Sequence, residues 1–219
     1  MPLASRLSTP ATSHGYLPPT ITLSGTGITA VPHQSPPLNI QNKPYGRRLI
    51  PQIMDELAAF HPERTVISLS EISDGSLEFR DISARAFAEA VDKMAWWLYE
   101  KVGQTSFVQP LGYIGPYDLR HILITYACVK LGYAALYLSP KNNVGRALSV
   151  LKATNCRAWA KATKAPMVPL VEDILQRRPM KLLELPPLDQ LLYARQTRPF
   201  PYPKTFDAAM SEPFCYLHT

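Results

Sequence analysis

The sequence predicts an α/β fold built on a parallel sheet, and three observations carry that expectation. Short apolar runs alternate with helix-period segments from residue 47 onward. A strand, a helix and a second strand follow one another within about thirty residues, the length of a crossover unit. Gly and Pro fall between these runs, where turns belong. With 219 residues, 46% of them hydrophobic, the chain can bury one sizeable core.

The elements are expected in this order. Leu49, Ile50, Ile53, Met54, Leu57 and Phe60 fall at helical spacing, and His61-Pro62 ends the run. Val66, Ile67 and Leu69, then Asp74-Gly75, then Leu77-Glu78-Phe79 read as a hairpin. Ser83 caps a helix whose stripe is Phe87, Val91, Met94 and Leu98 and which ends near Val102-Gly103. At least one of Trp96 and Trp97 is expected in the core beside that stripe. Leu111–Ile114 is a strand, Asp118 caps a helix through Leu131, and Gly132 closes it as a left-handed cap. Ala134–Leu138 is the parallel partner, followed by a helix from about Val144 to Ala153. Arg157–Ala160, a helix around Val168–Gln176, and Leu182–Leu185 extend the alternation, and Phe214–Leu217 is a last strand after a Pro-rich passage.

The 22 prolines gather in residues 1–44 and 165–213. Residues 1–44 mix Pro, Ser, Thr and Gly without a sustained period, so a disordered leader is expected there and a folded unit over 45–219. Ser24-Gly25-Thr26-Gly27 inside the leader has no following Lys-Ser/Thr and reads as linker, not phosphate cradle.

The net charge of +6 sits late: residues 141–204 hold twelve Lys or Arg against four acids, scattered among apolar residues. That scatter predicts solvated helix faces and no nucleic-acid surface. Cys128, Cys156 and Cys215 are too far apart and too few for a disulfide framework or a zinc site, which suits a reduced, cytoplasmic chain. No segment is apolar enough for a membrane span, and Arg6 among Ser and Thr residues is too thin a signal for a transit peptide. The five histidines show no ligand spacing, and no Ser lies in a GxSxG elbow. His121, near a strand end, is read as a packed or solvated residue.

Three stretches carry a resemblance. Phe79-Arg80-Asp81-Ile82 with Met94-Ala95-Trp96-Trp97-Leu98, then Val129-Lys130-Leu131-Gly132-Tyr133 through Asn142, then Pro213-Phe214-Cys215-Tyr216-Leu217-His218-Thr219 resemble the adenylate-forming superfamily (AMP-dependent synthetases and ligases). The likeness is to the adenylation domains of fungal non-ribosomal-peptide-synthetase-like and carboxylic acid reductase-like enzymes. Leu131 and Tyr133 stand where many relatives carry smaller residues. The resemblance implies the N-terminal subdomain of the acetyl-CoA synthetase-like fold, incomplete, with Lys130 solvated or capping rather than catalytic. It implies that Thr219 is the first residue of a phosphate loop whose glycine-rich continuation is not in these 219 residues.

For the complete parent the resemblance implies ATP and Mg, a carboxylic acid substrate, an acyl-adenylate, and a phosphopantetheine carrier as acceptor. No catalytic residue or metal ligand is assigned to the chain itself, which is expected to be inactive without the missing C-terminal part of its domain. The alternative is a non-catalytic interaction or scaffold module that retains only this subdomain.

Overall fold

The computed structural model describes residues 46–73, 76–116, 118–193 and 197–218. The expected leader over 1–44 and the Asp74-Gly75 turn lie outside the described residues.

Helix α1 (Ile50–Phe60) starts at a proline in its first turn, where a missing N–H costs nothing, and buries Met54 and Leu57. The His61 N–H closes on the Leu57 carbonyl at 2.8 Å, and Pro62 follows. Strands β1 (Thr65–Ser73) and β2 (Ser76–Ser83) form an antiparallel ribbon. Residues 76–80 are all exposed, so the ribbon is anchored at its base, where the Ala84 N–H reaches the Arg64 carbonyl at 2.8 Å.

Helix α2 (Ala84–Val102) is capped as expected: the Ser83 hydroxyl accepts the Ala86 N–H at 3.3 Å. Its stripe of Phe87, Val91, Met94 and Leu98 is fully buried. Neither tryptophan joins it. Trp96 and Trp97 are both half-buried, and Trp96 meets the Pro-rich 197–205 crossing, its indole donating to the Arg198 carbonyl at 2.9 Å.

A five-stranded parallel sheet carries the rest, in the order β6-β5-β3-β4-β7. Its strands are β3 (Gln109–Tyr113), β4 (Tyr133–Leu138), β5 (Ala158–Ala162), β6 (Lys181–Leu185) and β7 (Cys215–His218). Helix α3 (Arg120–Leu131) links β3 to β4; α4 (Val144–Ala153) links β4 to β5; α5 (Pro169–Arg177) links β5 to β6. Gly132 ends α3 at φ 84°, and a Cβ there would lie 2.4 Å from the Thr105 carbonyl oxygen, so only glycine fits both the backbone and the space.

Side chains alternate across the sheet. Tyr137 turns toward α3, bonding Thr125, while Leu136 and Leu138 on the other face pack with Ala147 and Leu151 of α4 and with Trp159. Helices α1, α2 and α3 pack together on one face, and α4 and α5 on the other. The late Lys and Arg residues lie mostly on exposed positions of this second layer and of the loops, as solvated faces. Two short helices were not legible in the sequence: α6 (Leu188–Tyr193) and α7 (Phe206–Ala209), flanking the Pro-rich crossing. They are too short for a periodic signal, and Pro186-Pro187 masks the first.

Gly112 in the middle of β3 lies against the indole of Trp159, and a Cβ there would stand 2.3 Å from the ring. Gly112→Ala is therefore expected to destabilise the protein by about 1–3 kcal/mol through overpacking. Gly145→Ala, whose nearest neighbour would be at 3.5 Å, is expected to be neutral or to stabilise by up to ~1 kcal/mol. Urea midpoints of the two variants, compared at unchanged slope, check both.

Candidate functional site

In an open α/β sheet the binding crevice lies at the carboxyl ends of the strands, where successive connections leave for opposite faces. Here the connection from β3 goes to one face through α3 and that from β4 to the other through α4. The crevice between the carboxyl ends of β3 and β4 is thus the place to look, and it opens into a cavity of about 620 Å³.

The polar floor of that cavity comes from β3, β4 and the first turns of α3. Tyr113 ends β3 and is fully buried; its hydroxyl has no hydrogen-bond partner among the described residues. Gly115 makes room for it, since a Cβ there would lie 2.1 Å from the hydroxyl oxygen. Burial, with the Asp118 charge adding to it, pushes the Tyr113 phenol up to about 12, so it is a neutral hydroxyl at any ordinary pH. Tyr137 is the last residue but one of β4; its hydroxyl donates to the His121 carbonyl at 2.7 Å and is hydrogen-bonded to the Thr125 hydroxyl at 2.6 Å. Burial raises the Tyr137 pKa as well.

His121 lies between the two tyrosines. Its ring stacks on Tyr137 at 5.5 Å and meets Tyr113 edge-on at 4.8 Å. Desolvation lowers its pKa from 6.5, against the opposing pull of the Asp118 charge and of hydrogen bonds to the backbone at Pro116 and Asp118. The helix begins one residue later than the expected Asp118 cap implies, with Leu119 at the N-cap and no side-chain cap bond; Asp118, just before it, accepts the Arg120 N–H at 2.9 Å and also grips the Arg120 guanidinium at 2.6–3.1 Å. That pair is satisfied within itself and raises the Arg120 pKa further.

The remaining walls are apolar: Ile114, Ile122, Leu138 and Val168, with Phe214 and Leu217 from the β7 side. Leu217 is 74% exposed, so the cavity is open along the β7 edge. Such a surface holds an apolar body and offers one unmatched hydroxyl; it presents no strong nucleophile or paired acid and base.

The sequence-predicted site residues fall as follows. Thr219 lies outside the described residues; the strand before it, β7, pairs in parallel with β4, with His218 opposite Leu138. The His218 carbonyl accepts the Ser139 N–H at 3.0 Å and its Nδ1 lies 3.1 Å from the Asn142 amide nitrogen, which fixes the end of β7 beside the crevice. Lys130 is neither solvated nor capping. It is 2% exposed, and its ammonium lies 2.7 Å from Asp92 and 2.8 Å from Asp55, because the last turn of α3 faces α2 and α1 rather than water. Cys128 and Cys156 are buried thiols whose pKa values burial raises, so neither is a nucleophile, and all three cysteines are free.

Tyr113, Thr125 and Tyr137 were missed as site residues. The available signal was the pairing of Tyr113 with Tyr137 as the last residues facing one side of two parallel neighbours. The described residues do not by themselves fit ATP and Mg. No group of three His, Cys, Asp or Glu among them could hold a metal ion, and the polar groups of the cavity are largely committed to one another. No described helix is long and apolar enough to cross a membrane.

No family model matches the chain. It is 58% identical over 215 residues to an isocyanide synthase–NRPS hybrid, crmA, of Aspergillus fumigatus, a match covering 98% of this chain and 14% of that protein. It is 32% identical over 183 residues to a carboxylic acid reductase of Neurospora crassa, covering 82% of this chain and 17% of that one. The chain thus spans about a sixth of these curated relatives. Among solved structures, an N-terminal subdomain of NpsA from Klebsiella oxytoca, in complex with 3-hydroxybenzoyl-AMSN, superposes with TM-score 0.50 at 17% identity, covering 73% of this chain and 35% of that one. A long-chain-fatty-acid CoA ligase homologue of Rhodopseudomonas palustris gives 0.51 at 15% identity, covering 73% and 39%. O-succinylbenzoate coenzyme A synthetase of Bacillus subtilis, in complex with ATP and magnesium, gives 0.50 at 13% identity, covering 68% and 36%.

The lowered pKa of His121 has a measurable consequence. The unfolded chain binds a proton at 6.5 that the folded chain resists, so folding stability rises with pH across the window just below 6.5 and falls as pH drops through it. His121→Gln is expected to flatten that part of the profile. Urea midpoints of wild type and variant between pH 7.5 and pH 5 read the difference.

Proposed function

We propose, for a chain that carries the N-terminal subdomain of the adenylate-forming fold and is homologous to fungal non-ribosomal-peptide-synthetase-like proteins, that its complete domain activates a carboxylic acid with ATP. A carboxylate oxygen attacks the α-phosphorus and pyrophosphate leaves; a phosphopantetheine thiol then attacks the acyl carbon of the acyl-adenylate, forming a thioester as the bond to AMP breaks and AMP and the thiol proton are released. The observation that carries the reading is β7: it lies parallel to β4 and delivers its carboxyl end to the crevice between α3 and α4. A strand end in that place is where a phosphate-binding turn can meet a substrate held in the crevice.

On this reading residues 1–219 supply the floor of the site and not its chemistry. Charge builds on the phosphoryl oxygens during transfer, and it needs several N–H donors and a cation at one point. The 219 residues hold no glycine-rich run with a following Lys-Ser/Thr, and the cavity walls are apolar. ATP and Mg would therefore be held by groups beyond this chain, with Thr219 opening the phosphate loop. The protein would work in the cytoplasm, with a carboxylic acid as substrate. A scaffold role draws support from one feature, the open cavity edge at Phe214 and Leu217, which suits a surface awaiting a partner.

Purified residues 1–219 are expected to show only background pyrophosphate exchange with any carboxylic acid; an acid-dependent rate would overturn the inactive-fragment reading. Joined to the segment that follows the matching region in the Aspergillus fumigatus relative, the chain is expected to gain ATP binding. In that longer protein, Thr219→Ala is expected to weaken adenylation by roughly 1.5–3 kcal/mol without unfolding it. Failure of the longer protein to bind ATP, measured by calorimetry, would favour the scaffold role.

A further inference from the structure

The ladder that ties β7 to β4 is short. Cys215, Tyr216, Leu217 and His218 pair with Ala135, Leu136, Tyr137 and Leu138, and β7 stands at the edge of the sheet with that one neighbour. Ladder bonds repeat every two residues, so a strand that slips by two keeps its side chains on their own faces and makes the same kind of bonds. Its end, however, moves by about 7 Å.

Apolar packing leaves one such slip open. Tyr216 lies opposite Leu136 and packs against the apolar layer shared with α4. Moved forward by two, the strand would put Phe214 in that place, one aromatic for another. Leu217 is 74% exposed and has little packing to lose.

One side-chain contact tells the registers apart. His218 lies on the α4 face, opposite Leu138, and its Nδ1 is 3.1 Å from the side-chain nitrogen of Asn142 in the loop from β4 to α4. The neighbouring bond from the Ser139 N–H to the His218 carbonyl would accept the carbonyl of any residue brought there. The imidazole, within 214–218, comes from His218 alone.

The Asn142 amide stands on a braced turn. Its own N–H donates to the Ser139 carbonyl at 3.0 Å, the Lys141 N–H to the Ser139 hydroxyl at 3.3 Å, and Asn143 caps α4 by accepting the Arg146 N–H at 2.8 Å. A side-chain amide presents both a donor and an acceptor, so it serves either tautomer of the ring.

We propose that Asn142 is a positioning residue for the phosphate-binding turn: by gripping the His218 ring it holds β7 in one register and so fixes the point at which the chain enters that turn. The turn rests on the function proposed above; the grip on the register does not. A competing restraint lies upstream, where Lys204 is paired with Glu212 at 2.6 Å. That pair anchors the approach to β7 and leaves its end to Asn142.

Amide hydrogen exchange on residues 1–219, read by mass spectrometry on peptides over 144–153 and 214–218, tests the grip. Asn142→Ala and His218→Phe are each expected to speed exchange over 214–218 roughly threefold to tenfold, as the loss of one hydrogen bond implies. The double variant is expected to match either single one, because both remove the same contact. Asn142→Asp keeps an acceptor for the ring and is expected to retain most of the protection. Asn143→Ala uncaps α4 and is expected to loosen 144–153 while leaving 214–218 as in wild type. In the longer protein that carries the following segment, Asn142→Ala is expected to raise the calorimetric Kd for ATP by a similar factor, since ordering the turn then falls to ATP binding, and Asn142→Asp to restore it.

The register assignment is overturned if Asn143→Ala frees 214–218 as much as Asn142→Ala does, or if the two single effects simply add. It is also overturned if Lys204→Met frees the strand and Asn142→Ala does not. A longer protein that binds no ATP removes the phosphate turn itself, and exchange in the 219-residue chain still decides the register. If ATP binds and its Kd ignores Asn142→Ala, the positioning role fails while the proposed function stands.

Discussion

A lysine ammonium withdrawn from water must be answered by charge close at hand, and that demand organises one side of this molecule. Removing such a group from solvent costs several kcal/mol before any partner is counted. Lys130 meets the cost with two carboxylates from two other helices, so α1, α2 and α3 cannot shift against one another without breaking an ion contact. Burial outweighs the lysine in its effect on Asp92 and raises that carboxyl, a sign of how little water reaches the group. Well-packed apolar residues in place of such a cluster generally preserve stability, since buried ion pairs contribute less to it than to the choice of one arrangement. Its value lies in specificity: the ions fix which turn of α3 faces which turn of α2.

The two faces of the sheet are built on different principles. On the α4 and α5 side, Leu136, Leu138, Leu151, Trp159 and Ile174 pack as an ordinary apolar core. On the α3 side the apolar packing gives way, toward the carboxyl edge, to hydroxyls and a histidine bonded to one another and to the backbone. Only Tyr113 keeps an unmatched hydroxyl there among these groups. Polar groups concentrated at the strand ends, over an otherwise dry sheet, are the pattern of a binding crevice rather than of a stabilising core.

Much of the fold was legible in the sequence because its signals are local. Ser83 capping, the Phe87–Leu98 stripe, Gly132 and the Val144–Ala153 helix all depend on residues within a turn or two of one another, and each stands where the sequence puts it. The strand order, with β5 crossing back past β3, depends on pairing across the chain and left no local trace. The same holds for the site. Tyr113 and Tyr137 become neighbours only through parallel register, and Lys130 reads as a surface residue until α1 and α2 are folded over it. The tryptophans misled for a related reason: large apolar area predicts burial, but Trp96 satisfies it against the 197–205 crossing instead of the sheet.

The position of β7 also has a consequence for the order of assembly. Strands β3 to β6 and their helices are contiguous in the chain and complete by Leu185, so a ribosome can release a paired four-stranded sheet before Cys215 has been made. What then waits for its last strand is the edge of β4 away from β3, and a nascent chain would hold that edge open until the Pro-rich stretch emerges and lands on α2. Stalled or shortened chains ending between Leu185 and Cys215 should therefore be the ones that chaperones engage, their defect being an unoccupied edge and not an unformed core.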